Sequence, residues 1–371
     1  MNKYIFIIIT VLLFSCSEST NNHDNIKGED NIKSKTKKEF SIKDKNEKTN
    51  NSFETDSLKT EEKTINTNPL PSWNNTKVKS KIISYVNAVT DKNCKAYIPE
   101  SDRIATFDND GTLWAEQPTY FQIEFVLDRI KELEKEHPEW GKDKLIQTAV
   151  NHDLDKLRKK YGVKGLGKLM SITQSGMTTD EFESIVQNWI KTARHHSTNK
   201  LYKNMVYKPM VELINYLHEN KFKVYIVSSG GTDFIRVFAK QLYNIDKEYV
   251  IGSYQKLEYT YIDNKPSLKK LPKIMYVSDD KGKVVSIYQI IGKKPVLAVG
   301  NSDRDIPMLE WSKSCKYNNL QIIVHHTDSV REWAYDKNTR IGILEKGLNE
   351  ALDKNWLVVD MKKDWKNIFI K

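Results

Sequence analysis

The sequence predicts an α/β fold: a doubly wound parallel sheet with an inserted helical module. Three observations carry the sheet and the insertion. Short apolar runs end near Phe107, Val227, Val299 and Val324, and each passes directly into a polar loop. Helical patterns separate most of these runs, and strands alternating with helices argue for parallel pairing. Between the first run and the second lies a long stretch of helical periodicity without a convincing strand before about residue 205. In such sheets ligands collect at the carboxyl ends of the strands.

The chain has 371 residues, and its elements follow in order. Lys3 precedes an apolar run from Ile5 to Phe14 that is too short for a permanent span and reads as a secretory signal over residues 1–15. Leu13-Phe14-Ser15-Cys16 resembles the lipobox of bacterial lipoproteins, which implies a lipid on Cys16 and an anchored, extracytoplasmic protein of the bacterial envelope at a membrane surface. Residues 16–72 are rich in Asn, Lys, Ser, Thr, Asp and Glu and show no apolar periodicity, so they read as a disordered tether. Residues 73–114 form the first part of the core, with a helix through Ile82, Ile83, Tyr85 and Val86 and a strand up to Phe107.

The helical module occupies 115–205. Pro118 suits a first helical turn, with Phe121, Phe125, Ile130 and Leu133 continuing the pattern. A second helix is expected from Lys142 to Tyr161, and Thr178 with Glu181 has the form of a capping box opening a third. The second part of the core, 206–371, starts with a helix at Pro209 and a strand over Phe222–Val227. Alternating residues around Leu257, Tyr259 and Tyr261 suggest an antiparallel excursion. A helix over Val284–Ile291, a strand over Pro295–Val299 and a helix near Met308–Trp311 come next. A strand over Leu320–Val324, helices near Val330 and Leu344 and a last strand at Trp356–Val359 complete the chain.

Net charge is +10, and lysines roughly cancel acids in the first seventy residues, so the excess lies later. Neither zinc-finger spacing nor an RNP-type motif appears, so nucleic acid is not an expected partner. Apart from Cys16 the cysteines are Cys94 and Cys315, either a pair or two buried thiols.

Chemistry gathers at the strand ends. Asp108 and Asp110 follow the first run, and alternate residues of an extended chain face one side, so both carboxylates can reach one spot. Gly111 lets the chain turn away. The second run enters Ser228-Ser229-Gly230-Gly231, the third Gly300-Asn301-Ser302-Asp303-Arg304-Asp305, and the fourth His325-His326. Lys283 opens a helix after Asp279 and Asp280.

These residues resemble the four motifs of the haloacid dehalogenase (HAD) superfamily, on the phosphatase branch near phosphoserine phosphatase. Phe107-Asp108-Asn109-Asp110-Gly111-Thr112 resembles motif one, Ser228 motif two, Lys283 motif three, and Gly300-Asn301-x-x-x-Asp305 motif four. The resemblance runs from about residue 76 to the C-terminus and implies a HAD-like Rossmannoid core, with the helical module in the place of the family's inserted cap. It implies a phosphomonoesterase acting on a small phosphorylated substrate. Asp108 is then the nucleophile and Asp110 the general acid/base. Lys283 and Ser228 neutralise and orient phosphoryl oxygens. It further implies substrate contacts from Thr112, Ser229 and Gly230, and Mg²⁺ held by Asp108, Asp110, Asn301 and Asp305.

Asn301 stands where the family usually has an aspartate, and Asp303 is a third candidate for the missing charge. Ser229 is the alternative to Ser228, and Lys281 the alternative to Lys283. The same chemistry also allows phosphoryl transfer to another acceptor, and Asn301 allows a catalytically weak binding module on this scaffold. For His325 and His326 the favoured reading is satisfaction of loop carbonyls. For Arg194, His195 and His196 surface solvation outweighs a grip on an anionic leaving group.

Overall fold

Apolar strands of four residues that are buried on both faces need helices on either side of a parallel sheet, and two such strands form the centre of this protein. The computed structural model describes residues 68–370. The signal over 1–15, Cys16 and all but the last residues of the tether expected over 16–72 lie outside the described residues. Helix α1 (Lys77–Thr90) buries Ile82, Tyr85, Val86 and Val89 and leads to β1 (Ile104–Phe107), whose four residues are all buried. The Tyr85 hydroxyl donates to the Val296 carbonyl (2.9 Å), tying α1 to the far side of β1.

The segment between β1 and β2 is helical, as its periodicity requires. It comprises α2 (Phe121–Leu133), α3 (Lys144–Val150), α4 (Leu154–Lys156), α5 (Gly162–Gln174) and α6 (Thr179–Thr192). The capping box is present: the Thr178 amide donates to Glu181 Oε2 (2.7 Å), and the Glu181 amide donates to Thr178 Oγ1 (3.1 Å).

The helix expected from Lys142 to Tyr161 is instead broken, because two aspartates offer the backbone N-caps. Asp143 Oδ1 accepts from the Leu145 amide (2.8 Å) to start α3. The chain then leaves the helix at His152, with φ of 54°, and Asp153 Oδ1 accepts from the Lys156 amide (3.0 Å) to start α4. A π-helical turn at Leu157–Tyr161 leads into α5, which the sequence pattern had not suggested. Pro118 lies before α2 rather than within its first turn, and the Gln117–Pro118 bond is cis.

After α7 (Lys208–Glu219) come β2 (Lys223–Gly231), α8 (Thr232–Tyr243) and the hairpin of β3 (Val250–Ile262) and β4 (Lys265–Tyr276). Then follow α9 (Lys281–Ile291), β5 (Leu297–Gly300), α10 (Ile306–Lys313), β6 (Leu320–Thr327) and β7 (Ala334–Tyr335). The chain closes with α11 (Lys346–Asp353), β8 (Leu357–Asp360) and α12 (Met361–Asp364). The helix expected near Val330 is a turn. Asp328 Oδ1 accepts from the amides of Val330 (3.1 Å) and Arg331 (3.0 Å), and Val330 itself faces solvent. An aspartate that captures the backbone in this way competes with helix formation.

The sheet runs β4-β3-β2-β1-β5-β6, with β8 on the far side of β6 and the short β7 antiparallel at its end. β3, β2, β1, β5, β6 and β8 are parallel, and β4 pairs antiparallel with β3. Thr106 is level with Tyr225 on one side and Ala298 on the other. The chain starts in the centre, fills one side and crosses back to fill the other. The ends of β1, β2 and β5 therefore meet where its direction reverses, which is where this architecture binds ligands.

Insertion and core share one apolar interior. The Trp114 ring lies 4.8 Å from Phe121 of α2 and 4.7 Å from Phe238 of α8. Phe125 links Phe182 of α6 (5.9 Å) to Phe234 of α8 (5.4 Å). The antiparallel hairpin, expected as a small excursion, is long, and its Lys270 carbonyl and amide bond the Gly176 amide and Met177 carbonyl next to α6. Cys94 and Cys315 are unbonded and half-buried. Among the described residues no helix is long and apolar enough to cross a membrane. Truncating Phe238 to Ala should cost about 3–5 kcal/mol of unfolding free energy, read as a fall in the urea midpoint at unchanged slope.

Candidate active site

The turn after β1 is built from its own backbone. The Asp108 amide donates to the Val299 carbonyl of β5 (2.9 Å), which holds Asp108 at the strand end. The Asn109 carbonyl then accepts from the amides of Thr112 (3.2 Å) and Leu113 (2.8 Å), winding the chain away from the sheet. Gly111 has φ of 72°, and a Cβ there would collide with Asn301 and Glu116, so only glycine fits. His326 Nε2 lies 2.8 Å from the Gly111 carbonyl and His326 Nδ1 lies 3.2 Å from Glu332, whose other oxygen accepts from Tyr207 (2.8 Å). His326 thus holds a loop carbonyl, and the loop it holds is the one that carries Asp110.

Lys283, in the first turn of α9, is buried, whereas Lys281 is exposed. Lys283 Nζ donates to Asp108 Oδ1 and to Asp305 Oδ1, both at 2.6 Å. Burial alone would lower the ammonium, but the charges of Asp108 and Asp305 outweigh it and hold Lys283 above its ordinary value. The second oxygen of Asp305 accepts from the amides of Asn301 and Ser302 (3.0 Å each) and from Ser302 Oγ (3.1 Å).

Ser228 is fully buried at the end of the apolar part of β2, and its Oγ accepts from the Gly230 amide (3.0 Å). Ser229 points to solvent and donates to Asp279 Oδ1 (2.7 Å). The Gly231 amide donates to Gln122 Oε1 of α2 (2.8 Å), so the insertion touches this loop directly.

Asn301 is buried and oriented from both ends. Its Oδ1 accepts from Thr112 Oγ1 (3.0 Å), and its Nδ2 donates to Glu116 Oε1 (2.8 Å). Glu116, which the sequence reading did not single out, is 1 % exposed and also accepts from the Tyr335 hydroxyl (2.8 Å). Asp303 lies elsewhere in function: its carboxylate accepts from the amides of Glu345 (3.0 Å), Lys346 (3.2 Å) and Gly347 (2.8 Å) and caps α11.

Carboxylates crowd this site. Burial and the Asp305 charge raise Asp108 above the usual carboxylate range, against the pull of Lys283. Burial raises Asp110, opposed by a hydrogen bond from Trp114 Nε1 to its Oδ1 (2.8 Å). Burial raises Glu116 well above its ordinary value, and the charges of Asp110 and Asp108 add to it. Lys283 bonds two of these carboxyl groups, Asp108 and Asp305, and Asn109 Oδ1, between Asp108 and Asp110 in the chain, is buried without a hydrogen-bond partner. Oxygen donors carrying surplus negative charge are what a small hard cation such as Mg²⁺ requires, so the residues present fit one.

Lys283 and Lys281 can be told apart by stability. Lys283→Met should cost about 3–5 kcal/mol, because Asp108 and Asp305 are left buried without their cation. Lys281→Met, on the surface, should stay within about 0.5 kcal/mol of the parent. Chemical denaturation of the two variants measures both.

The sequence matches haloacid dehalogenase-like hydrolases over residues 105–310, more than half of the chain. Curated proteins gave no match. Among solved structures, a conserved protein of unknown function from Anaerococcus prevotii is 18% identical, with 68% of this chain and 86% of that one covered and a TM-score of 0.46. A protein of unknown function from Bordetella pertussis is 14% identical over 70% of this chain and 98% of that one, with a TM-score of 0.43. A phosphoserine phosphohydrolase-like protein from Francisella tularensis is 16% identical over 60% and 87%, with a TM-score of 0.33. The extent of the family match is decisive, and the chain belongs to the haloacid dehalogenase-like hydrolases.

Proposed function

We propose that the protein hydrolyses phosphate monoesters with Mg²⁺ through a phosphorylated Asp108. The observation that carries this reading is the Asp108–Lys283–Asp305 arrangement at the end of β1, with Ser228 and Asp110 at the same sheet edge. An Asp108 oxygen attacks phosphorus, the bond to the leaving oxygen breaks, and Asp110 gives that oxygen its proton. Asp110 then removes a proton from water, whose oxygen attacks phosphorus and frees the Asp108 carboxylate together with inorganic phosphate.

The hydrogen bond from Trp114 to Asp110 Oδ1 orients the carboxyl that carries this proton traffic. Lys283 holds Asp108 in place and offsets charge on the phosphoryl group. Ser228 Oγ and the Ser229, Gly230 and Thr112 region supply hydrogen bonds to phosphoryl oxygens. Mg²⁺ held by Asp108, Asp110 and Asn301 would neutralise the charge that otherwise keeps two anions apart.

Two assignments change from the sequence reading. Both Asp305 oxygens are engaged by Lys283, Asn301 and Ser302, so we assign Asp305 to anchoring Lys283 rather than to direct contact with the cation. Glu116 places a carboxyl group against the Asn301 amide and orients it. This weakens the reading of a catalytically weak binding module, which rested on Asn301. We take the helical segment over 115–205 as the cap that selects the substrate, supported by the Gln122 contact to Gly231. The region before residue 68 supports envelope attachment through Cys16 on sequence alone.

Purified protein should release phosphate from a small aryl phosphate with Mg²⁺, and chelation should stop it. Asp108→Asn should abolish turnover; an Asp108→Asn variant that works like the parent removes it as nucleophile. Asp110→Asn should lower kcat by about 10²–10⁴-fold. Glu116→Gln should raise the Mg²⁺ concentration giving half-maximal rate by about 10–100-fold. In cells, Cys16→Ser should move the protein from the membrane fraction to the soluble one, read by immunoblot.

A further inference from the structure

The helical insertion carries a second cluster of metal-binding side chains, on the far side of α2 from Gln122. Glu124, in the first turn of α2, is 3 % exposed, and its Oε2 lies 2.9 Å from His152 Nε2 and 3.2 Å from His196 Nε2. The three ligand atoms lie within 4.8 Å of one another. Neither Glu124 Oε2 nor His152 Nε2 has a hydrogen-bond partner, although both atoms are buried. A buried carboxylate oxygen without a hydrogen bond is costly, and here it sits facing two imidazole nitrogens.

The His152 and His196 rings are 4.0 Å apart between centroids. Both Nε2 atoms converge on one Glu124 oxygen. A single dication bound by all three would satisfy them together. Tetrahedral ligands at zinc distances are about 3.3 Å apart, comparable to the two Glu124–His separations.

The surroundings also suit a cation. Asp128, one turn along α2, places Oδ1 4.0 Å from His196 Nε2, while its Oδ2 accepts from Trp189 (2.8 Å). Arg158 turns one guanidinium nitrogen to the Pro118 carbonyl (2.9 Å) and donates no hydrogen bond to Glu124. Lys131 is the other charge whose field reaches His152. His152 stands at positive φ, an uncommon conformation for a non-glycine residue. His196 is half exposed, so one side of the cluster is open to water.

We propose that Glu124, His152 and His196 form a zinc-class divalent metal site that fastens three separate segments of the insertion. Those segments are α2, the turn between α3 and α4, and the turn after α6. Two His and one carboxylate with an open position are a ligand set that zinc accepts. The site is separate from the one at Asp108, and it stands whether or not the hydrolytic reading does. Its role is to hold the start of α2 in place, two residues from the Gln122 contact to the β2 loop.

The test uses the tag-free protein with Mg²⁺ in excess. Zinc is added, unbound metal is removed by gel filtration, and retained zinc is measured by atomic emission. The unmodified protein should retain one equivalent more than the His152→Gln/His196→Gln double variant. Zinc should raise the melting temperature of the parent and not that of the double variant. Equal zinc content and an equal thermal response in the two proteins would overturn the site. Should the double variant misfold by circular dichroism, Co²⁺ added to the unmodified protein decides instead. Intense visible d–d absorption of a low-coordinate N/O site supports the assignment, and its absence at one equivalent sinks it.

Discussion

The ammonium of Lys283 sits between two carboxylates that come from different strand ends, and much of the site is arranged around it. Asp108 follows β1 and Asp305 follows β5, and these neighbouring parallel strands place both next to the first turn of α9. A buried carboxylate without a partner is expensive. Lys283 opposes the burial and the Asp305 charge that raise Asp108, and so favours its ionised form in a dry site. Asp305 in turn is fixed by the amides that start the next turn, so the lysine cannot drift toward one partner. The same contacts that hold Asp108 close the sheet edge, tying the ends of β1 and β5 to the first turn of α9.

Around that centre the protein uses indirect support. His326 and Glu332 are buried, and His326 holds the Gly111 carbonyl and so the turn that carries Asp110. Trp114 has two duties: its ring packs between α2 and α8, and its indole N–H orients Asp110. Rigid aromatic packing is transmitted to the Asp110 carboxyl in this way. Glu116 and Tyr335 do the same for Asn301. The departure of Asn301 from the usual aspartate is thus matched by a carboxylate from another loop.

The insertion differs from the core in what holds it. Two of its helices, α3 and α4, are short and set off by caps at Asp143 and Asp153, and the insertion is tied by aromatic contacts to α8 and by backbone bonds to the β3–β4 hairpin. A metal at Glu124, His152 and His196 would fasten the turn between those two short helices to α2. The hairpin was legible as an antiparallel excursion from its alternation. Its contact with α6 was not, since a strand edge does not name its partner.

Chain order and local chemistry determined the core elements and the motif residues. Period-two and buried apolar runs ended in Asp, Ser, Gly and Asn, and a strand that stops at polar residues marks its own carboxyl end. That was enough to mark Asp108, Asp110 and Ser228 before any geometry, whereas Lys283, at a helix start, was marked by resemblance to the family's third motif. What only the tertiary structure decided were relations between side chains far apart in sequence. Glu116 has no spacing signal, yet folding brings it to Asn301. Asp303 and Asp305 are two residues apart, yet one caps α11 and the other anchors Lys283. The helix over 142–161 was misjudged because periodicity does not report a competing cap. Local patterns encode which backbone states are favourable, whereas a carboxylate's role depends on which donors and charges reach it, and those are set by packing.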